Sequence, residues 1–161
     1  MDRMQIVNFH FEVSFSGLGK NHPDGKFQSV TGLEVKFDSE TIKEGGENRF
    51  EHVIPVRRKA SDLVLKRGVI SVDEKSLLTG WLKKAFEDNE VRPVDLNVIL
   101  LNEDHQPLAA WKVIHAWPTS WKMGELNAEK GEVLIETLEL AYNRLEFIDA
   151  KSEKLYTGTQ P

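Results

Sequence analysis

From residue 8 to residue 15 the chain alternates: Phe9, Phe11, Val13 and Phe15 fall on one side, Asn8, His10, Glu12 and Ser14 on the other. A period of two marks a half-buried strand. Residues 17–25 (GLGKNHPDG) are dense in turn formers and close it. A second strand is predicted over about 27–37, with Leu33, Val35 and Phe37 opposite Glu34, Lys36 and Asp38. Residues 38–52 (DSETIKEGGENRFEH) then read as a long polar loop, broken by Gly45-Gly46. Excursions of that length in a compact domain are usually functional or disordered. Strand character resumes over 53–66, with interruptions at Pro55 and at Arg57-Arg58-Lys59.

One helix is predicted over about 71–88. Ser71-Val72-Asp73-Glu74 has the form of a capping box, in which the serine hydroxyl accepts from the Glu74 N–H while Glu74 reaches back. Leu77, Leu78, Trp81, Leu82, Ala85 and Phe86 recur at one-turn spacing and make one apolar stripe. Asn89 and Pro93 supply the stop. Gly80 lies inside this helix, where glycine costs about 1 kcal/mol against alanine, and the sequence gives no reason for it. Residues 94–101 alternate as a strand, 102–107 (NEDHQP) read as a turn, and 108–117 as the partner strand. Residues 132–147 read two ways. Leu134, Leu138, Ala141, Tyr142 and Leu145 fit helical spacing, and only the resemblance set out below points to strand. Residues 149–161 are a polar tail. With no repeat, low-complexity stretch or linker, residues 1–161 are expected to form a single domain.

Composition narrows the function classes. The chain has 161 residues, 40% hydrophobic and 29% charged, an ordinary globular balance. Chains of this length bury about two thirds of their unfolded surface. The longest apolar run, Val98-Ile99-Leu100-Leu101, is of strand length and far short of the ~20 residues of a membrane span. The first residues, Met1-Asp2-Arg3-Met4-Gln5, lack a signal peptide's basic start and apolar centre. Cysteine is absent, which removes disulfides, thiolate metal sites and cysteine nucleophiles and fits folding in a cytoplasm. The net charge is −5, and the only basic clusters are Arg57-Arg58-Lys59 and Lys66-Arg67. A nucleic-acid binder would normally concentrate positive charge to neutralise phosphates, and this chain does not.

Catalytic and ligand-binding patterns fail one by one. The five histidines, at 10, 22, 52, 105 and 115, include no pair four apart and no metal-ligand pattern. A phosphate loop needs its glycines one position closer than Gly19 and Gly25, and a hydroxyl after the lysine, where Phe27 stands. Gly17-Leu18-Gly19 could open a dinucleotide fingerprint, but His22 occupies the third glycine position. There is no Gly-x-Ser-x-Gly elbow. Glu44 with Glu47 and Asp38 with Glu40 are carboxylate pairs on a solvated loop. The expectation is no catalytic residue, no metal, no cofactor and no enzyme.

Several stretches together resemble the tail tube protein family of contractile phage tails and related contractile injection systems. Residues 27–34 (FQSVTGLE) are similar to its "F-x-x-V-[ST]-G-L-E" strand, Glu44-Gly45-Gly46 to its loop, and 63–68 (LVLKRG) to its "L-x-L-K-R-G" strand end. Leu78-Thr79-Gly80-Trp81, residues 111–121 (WKVIHAWPTSW), 125–128 (ELNA) and 136–140 (ETLEL) follow in the family's order. The resemblance spans about residues 9–147. Ile54-Pro55-Val56 and Tyr142-Asn143-Arg144-Leu145 depart from it, standing where members often have a Pro-Gly turn and His-Glu-Gly-Leu.

The resemblance implies a mainly β (α+β) fold, with two antiparallel sheets forming a barrel-like sandwich flanked by one α-helix. It implies strand for 132–147. It also implies that copies of the chain close into hexameric rings, which stack into a conduit for DNA or effector cargo, with the 38–52 loop between rings. Sheath protein, baseplate or tube-initiator proteins and terminal cap proteins are the implied partners, in a virion or an injection particle. On the matching motifs, Leu33, Leu65, Trp81, Trp111, Trp117 and Trp121 are expected as core, and Glu44, Gly45, Gly46, Arg67 and Gly68 as subunit contacts. Two other readings stand beside it, a tube-initiator or baseplate-proximal paralogue and a monomeric ligand-binding barrel.

Overall fold

The computed structural model describes residues 9–16, 18, 27–42, 52–69 and 77–149. In chain order its elements are β1 (His10–Phe15), β2 (Ser29–Thr31), β3 (Val35–Ile42), β4 (His52–Ala60), β5 (Leu63–Gly68), α1 (Leu77–Glu87), β6 (Val94–Leu101), β7 (Pro107–Met123), β8 (Ile135–Ala141) and β9 (Arg144–Ile148). Hydrogen bonding orders seven of the strands β1-β6-β7-β8-β5-β2, with β9 also on β7, while β3 and β4 pair only with each other. Every ladder is antiparallel.

The 17-residue strand β7 belongs to two layers. Its first part pairs with β6 on one side and with β9, through Ala110–Ile114, on the other. Its second part, from Trp117 to Met123, pairs with β8. The first layer is therefore β1-β6-β7-β9 and the second β7-β8-β5-β2. The bend falls at His115, whose φ of 60° is left-handed and uncommon for a residue with a side chain. Its N–H donates to Asp95 Oδ1 at 3.0 Å. Beside it, where β8 gives way to β9, the Asn143 N–H donates to the Ile114 carbonyl at 3.1 Å.

The core lies between the layers. Val13 and Phe15 of β1, Leu96 and Val98 of β6, Val113 and Ala116 of β7, Leu138 and Leu140 of β8, and Leu63 and Leu65 of β5 converge there. Leu78, Trp81 and Leu82 of α1 complete it. Trp81 packs on Phe15, with ring centroids 6.2 Å apart, and Phe15 meets Phe27 at 6.5 Å. The Trp81 indole N–H donates to the Arg92 carbonyl at 2.7 Å, the partner a buried tryptophan requires.

Mainly β, two antiparallel layers and one helix are as expected. The barrel-like closure is not formed: the hydrogen-bonded path ends at β1 and β2, and among the described residues no ladder joins them. Side chains such as Phe15 and Phe27 meet near this opening instead.

Three expectations change. The strand expected over 27–37 is broken at Gly32, whose φ is 93°. A Cβ there would stand 1.9 Å from the Asp62 carbonyl oxygen, so the close crossing of two backbones requires glycine. The break sends β3 away from the main sheet. The 38–52 loop is shorter than expected, because β3 runs on to Ile42 and β4 starts at His52; 43–51, including Gly45-Gly46, lie outside the described residues. β4 continues through Pro55 and the basic triplet, with a register shift between Asp38 and Ser39 that accommodates the extra residue and the missing proline N–H. In the 132–147 segment the strand that the resemblance implies is present, as β8 and β9, where spacing alone also allowed a helix. The capping box at 71–74 lies outside the described residues.

Candidate assembly surfaces

Because β7 is shared, each layer has free strand edges. In the first layer these are β1 and β9, which have β6 and β7 as their only ladder partners among the described residues. Neither strand contains proline or glycine to blunt pairing with another chain. Period two divides this layer into two faces. Val13, Phe15, Leu96, Val98, Val113 and Leu145 point into the core. His10, Glu12 and Ser14 of β1, Asp95 and Asn97 of β6, Lys112 of β7, and Arg144 and Glu146 of β9 share the opposite face. There Arg144 Nε lies 3.2 Å from Glu146 Oε1, and His10 stacks on His105 of the β6–β7 turn, with centroids 5.6 Å apart.

The core-side face runs out before its strands do. Phe147 is 76% exposed and Phe9 52%, although both continue the apolar face of their strands. Trp111 reaches Phe147 edge-on, with centroids 6.5 Å apart, and is itself partly buried. Exposed aromatic side chains beside two unpaired edges mark surface that another chain can cover.

The β3–β4 ribbon is a second such surface. A two-stranded hairpin alone is marginally stable in water, and Val35 and Phe37 on it are exposed. Its root is fixed by Tyr142, whose hydroxyl donates to the carbonyl oxygens of Gly32 and Glu34, at 2.8 and 3.2 Å. Burial pushes the Tyr142 phenol above its ordinary pKa. Lys36 pairs with Glu34 at 2.8 Å, raising the lysine pKa and lowering that of the carboxyl through their hydrogen bond.

The residues expected from the sequence separate into groups. Leu65 and Trp81 are buried in the core, and Leu33, Trp111 and Trp121 pack against it partly buried. Trp117 lies outside that cluster, edge-on to His115 with centroids 6.0 Å apart. Glu44, Gly45 and Gly46 are outside the described residues. Arg67 donates from Nε to Glu136 Oε2 at 2.5 Å, and its guanidinium stands 5.5 Å from the centroid of the Phe27 ring. Glu136 also accepts from Trp121 Nε1 at 2.6 Å. A Cβ on Gly68 would stand 3.0 Å from Val133 Cγ1. The β7–β8 connection carries Leu126, at 81% the most exposed large apolar side chain among the described residues, with exposed Met123 and Val133 nearby in sequence. Sequence reasoning noted residues 125–128 as a motif but had no signal for this exposure.

No group of three metal-ligating side chains occurs among the described residues. The recess beside α1 is an open groove of about 1030 Å³ with Leu77, Gly80, Trp81, Lys84, Arg92 and Asp95 among its lining. No described helix is long and apolar enough to cross a membrane.

The sequence matches the family model described as T4-like virus tail tube protein gp19 over residues 7–146. The chain belongs to this tail tube family. No curated protein sequence matches it. Among solved structures, a chain of the anti-feeding prophage (AFP) baseplate, 6-fold symmetrised, superposes with a TM-score of 0.75 at 29% identity, covering 94% of this tail tube chain and 100% of that one. A chain of the PVC sheath-tube complex of an extracellular contractile injection system in the extended state gives 0.74 at 23%, covering 91% and 93%. A type six secretion system protein shares the fold more distantly, with a TM-score of 0.54 at 15% identity over 86% of this chain and 82% of that one. The family is one of tail tube proteins, and the neighbours come from a prophage baseplate, the sheath-tube complex of a contractile injection system and a type six secretion system.

Proposed function

We propose that this tail tube protein is the building block of the inner tube of a contractile tail or injection particle, where six copies close into a ring and rings stack into a conduit. One observation carries the reading: the two free edges of the first layer, β1 and β9, lie at its opposite ends and run in opposite directions, because three antiparallel pairings separate them. A rotation about an axis roughly along the strands brings β9 of one copy beside β1 of the next, again antiparallel. Such a contact is heterologous, and it closes when the rotation closes. The first layers of successive copies would thereby join into one closed sheet in which neither β1 nor β9 keeps a free edge.

Helix α1 and the second layer lie on the core side of the first layer and occupy the larger circumference, so the polar face with Glu12, Asp95, Lys112, Arg144 and Glu146 lines the bore. Its acids and bases nearly balance. A polyanionic cargo is therefore repelled less than the net charge of −5 suggests. The β3–β4 ribbon, with the 43–51 segment that follows β3 in the chain and contains Gly45-Gly46, serves the axial contact between rings. Sheath, baseplate and cap proteins are the remaining partners, and the role is structural with no reaction catalysed. The relatives from a baseplate and from a sheath-tube complex are 29% and 23% identical, which favours a baseplate-proximal tube subunit as a second reading.

Negative-stain microscopy of the purified chain, alone and with its sheath protein, tests this. Rings or filaments of uniform bore are expected. Gly45→Val with Gly46→Val is expected to leave rings and block their stacking. A chain that stays monomeric at high concentration, and is recruited by neither sheath nor baseplate, overturns the reading.

A further inference from the structure

The structure assigns a register to the junction between neighbouring copies: β1 of one chain pairs with β9 of the next with Glu12 opposite Arg144, His10 opposite Glu146 and Phe9 opposite Phe147. This rests on the tube reading above, and it names which backbone positions meet.

Side-chain period removes half of the registers. In β1, Phe11, Val13 and Phe15 share the core-side face, while His10, Glu12 and Ser14 share the other. In β9, Leu145 and Phe147 face with the core-side residues Val113 and Trp111, while Arg144 and Glu146 face with Ile114 and Lys112. A slip of one residue would set apolar positions against charged ones along the whole junction, so only even steps remain.

Charge and aromatic placement choose among those. In the assigned register each face is matched. On the bore side, Glu12 adds to Arg144 and His10 to Glu146, extending the Arg144–Glu146 pair already 3.2 Å apart into an alternating set, with Lys112 flanking Glu146 on β7. On the core side, Phe11 meets Leu145, and Phe9 covers Phe147, the two exposed aromatic ends of the apolar face. A step of two in one direction sets Glu12 against Glu146 and Phe9 against Asp149, a like-charge pair and an apolar residue beside a carboxylate. A further step sets Glu12 against Ile148 and gives no opposite-charge pair. A step the other way sets His10 against Arg144 and carries Glu12 past the end of β9 to Tyr142. Directly opposed unlike charges and aromatic pairs stabilise a ladder, and like charges destabilise it.

Disulfide trapping reads this register, since the chain has no cysteine of its own. Directly opposite residues of antiparallel strands have Cα atoms about 4.5–5.5 Å apart, within disulfide reach, and residues displaced by two do not. The full-length Glu12→Cys with Arg144→Cys variant, oxidised after assembly, is expected to give a ladder of covalent oligomers ending at the closed ring. Glu12→Cys with Glu146→Cys is expected to give little. Independently, Glu12→Arg is expected to raise the concentration for half-assembly about tenfold, and Glu12→Arg with Arg144→Glu to return it to within about twofold of the parent. Preferential cross-linking of the 12/146 pair, rings in the microscope with neither pair cross-linked, or no recovery in the charge swap would overturn the register and leave the tube reading standing. Absence of both rings and cross-links would overturn both.

Discussion

Replacing Glu136 by glutamine tests a buried polar network that joins β5, β7 and β8. The carboxylate is 6% exposed and receives Arg67 Nε at 2.5 Å and Trp121 Nε1 at 2.6 Å. Glutamine keeps the shape and offers an oxygen to Trp121, but removes the charge that Arg67 faces. A hydrogen bond to a charged group contributes about 1.5–3 kcal/mol, and removal of one member of a buried pair costs about 3–5 kcal/mol. The Arg67 side chain keeps some contact with water, which places the loss at about 2–3 kcal/mol. For a chain of this length that corresponds to a Tm lower by about 4–12 °C. Urea and thermal unfolding of the dissociated subunit, followed by tryptophan fluorescence, supply the numbers. Arg67→Met combined with Glu136→Leu should cost less than the sum of its single variants, because neither partner is then left buried alone. A Glu136→Gln variant within about 0.5 kcal/mol of the parent, or a strictly additive double variant, would refute the reasoning.

Three further outcomes are expected. Tyr142→Phe removes the hydrogen bonds to the Gly32 and Glu34 carbonyls and should cost about 1–2 kcal/mol in urea unfolding. Because burial raises the Tyr142 pKa, the parent should lose stability as pH rises above about 10, from the unfolded value through the higher folded one, and the phenylalanine variant should lose less over that range. Gly32→Ala, with φ at 93° and a Cβ 1.9 Å from the Asp62 oxygen, should cost more than about 3 kcal/mol or abolish soluble expression. Gly80→Ala places its Cβ in open space and should raise subunit stability by about 0.5–1 kcal/mol, measured by the same unfolding curves.

The sequence displayed whatever depends on local alternation. The β1 and β6 strands and the centre of the α1 stripe, Leu78, Trp81, Leu82 and Ala85, follow from side-chain period alone, because each lies with one face on the core, while Leu77 and Phe86 at the margins of the stripe are exposed. Contacts between distant residues were not visible in it. Nothing near Gly32 in the chain shows that the Asp62 backbone crosses it, so the strand expected over 27–37 hid a break. The 132–147 segment spaces its leucines in a way both periods can claim, and only pairing with β7 decides for strand. Among the surface candidates, Arg67 matched a motif, but its Nε is turned inward to Glu136, a partner far along the chain. The exposures of Phe9 and Phe147 were equally hidden, since alternation says which side of a strand a residue faces but not whether anything covers that side.

The shared strand β7 also has a mechanical consequence. Since one unbroken backbone runs through the first layer and then through the second, a pull or twist applied to one layer passes to the other along covalent bonds. The two layers are thereby tied through β7, whose backbone turns at His115 with its left-handed φ.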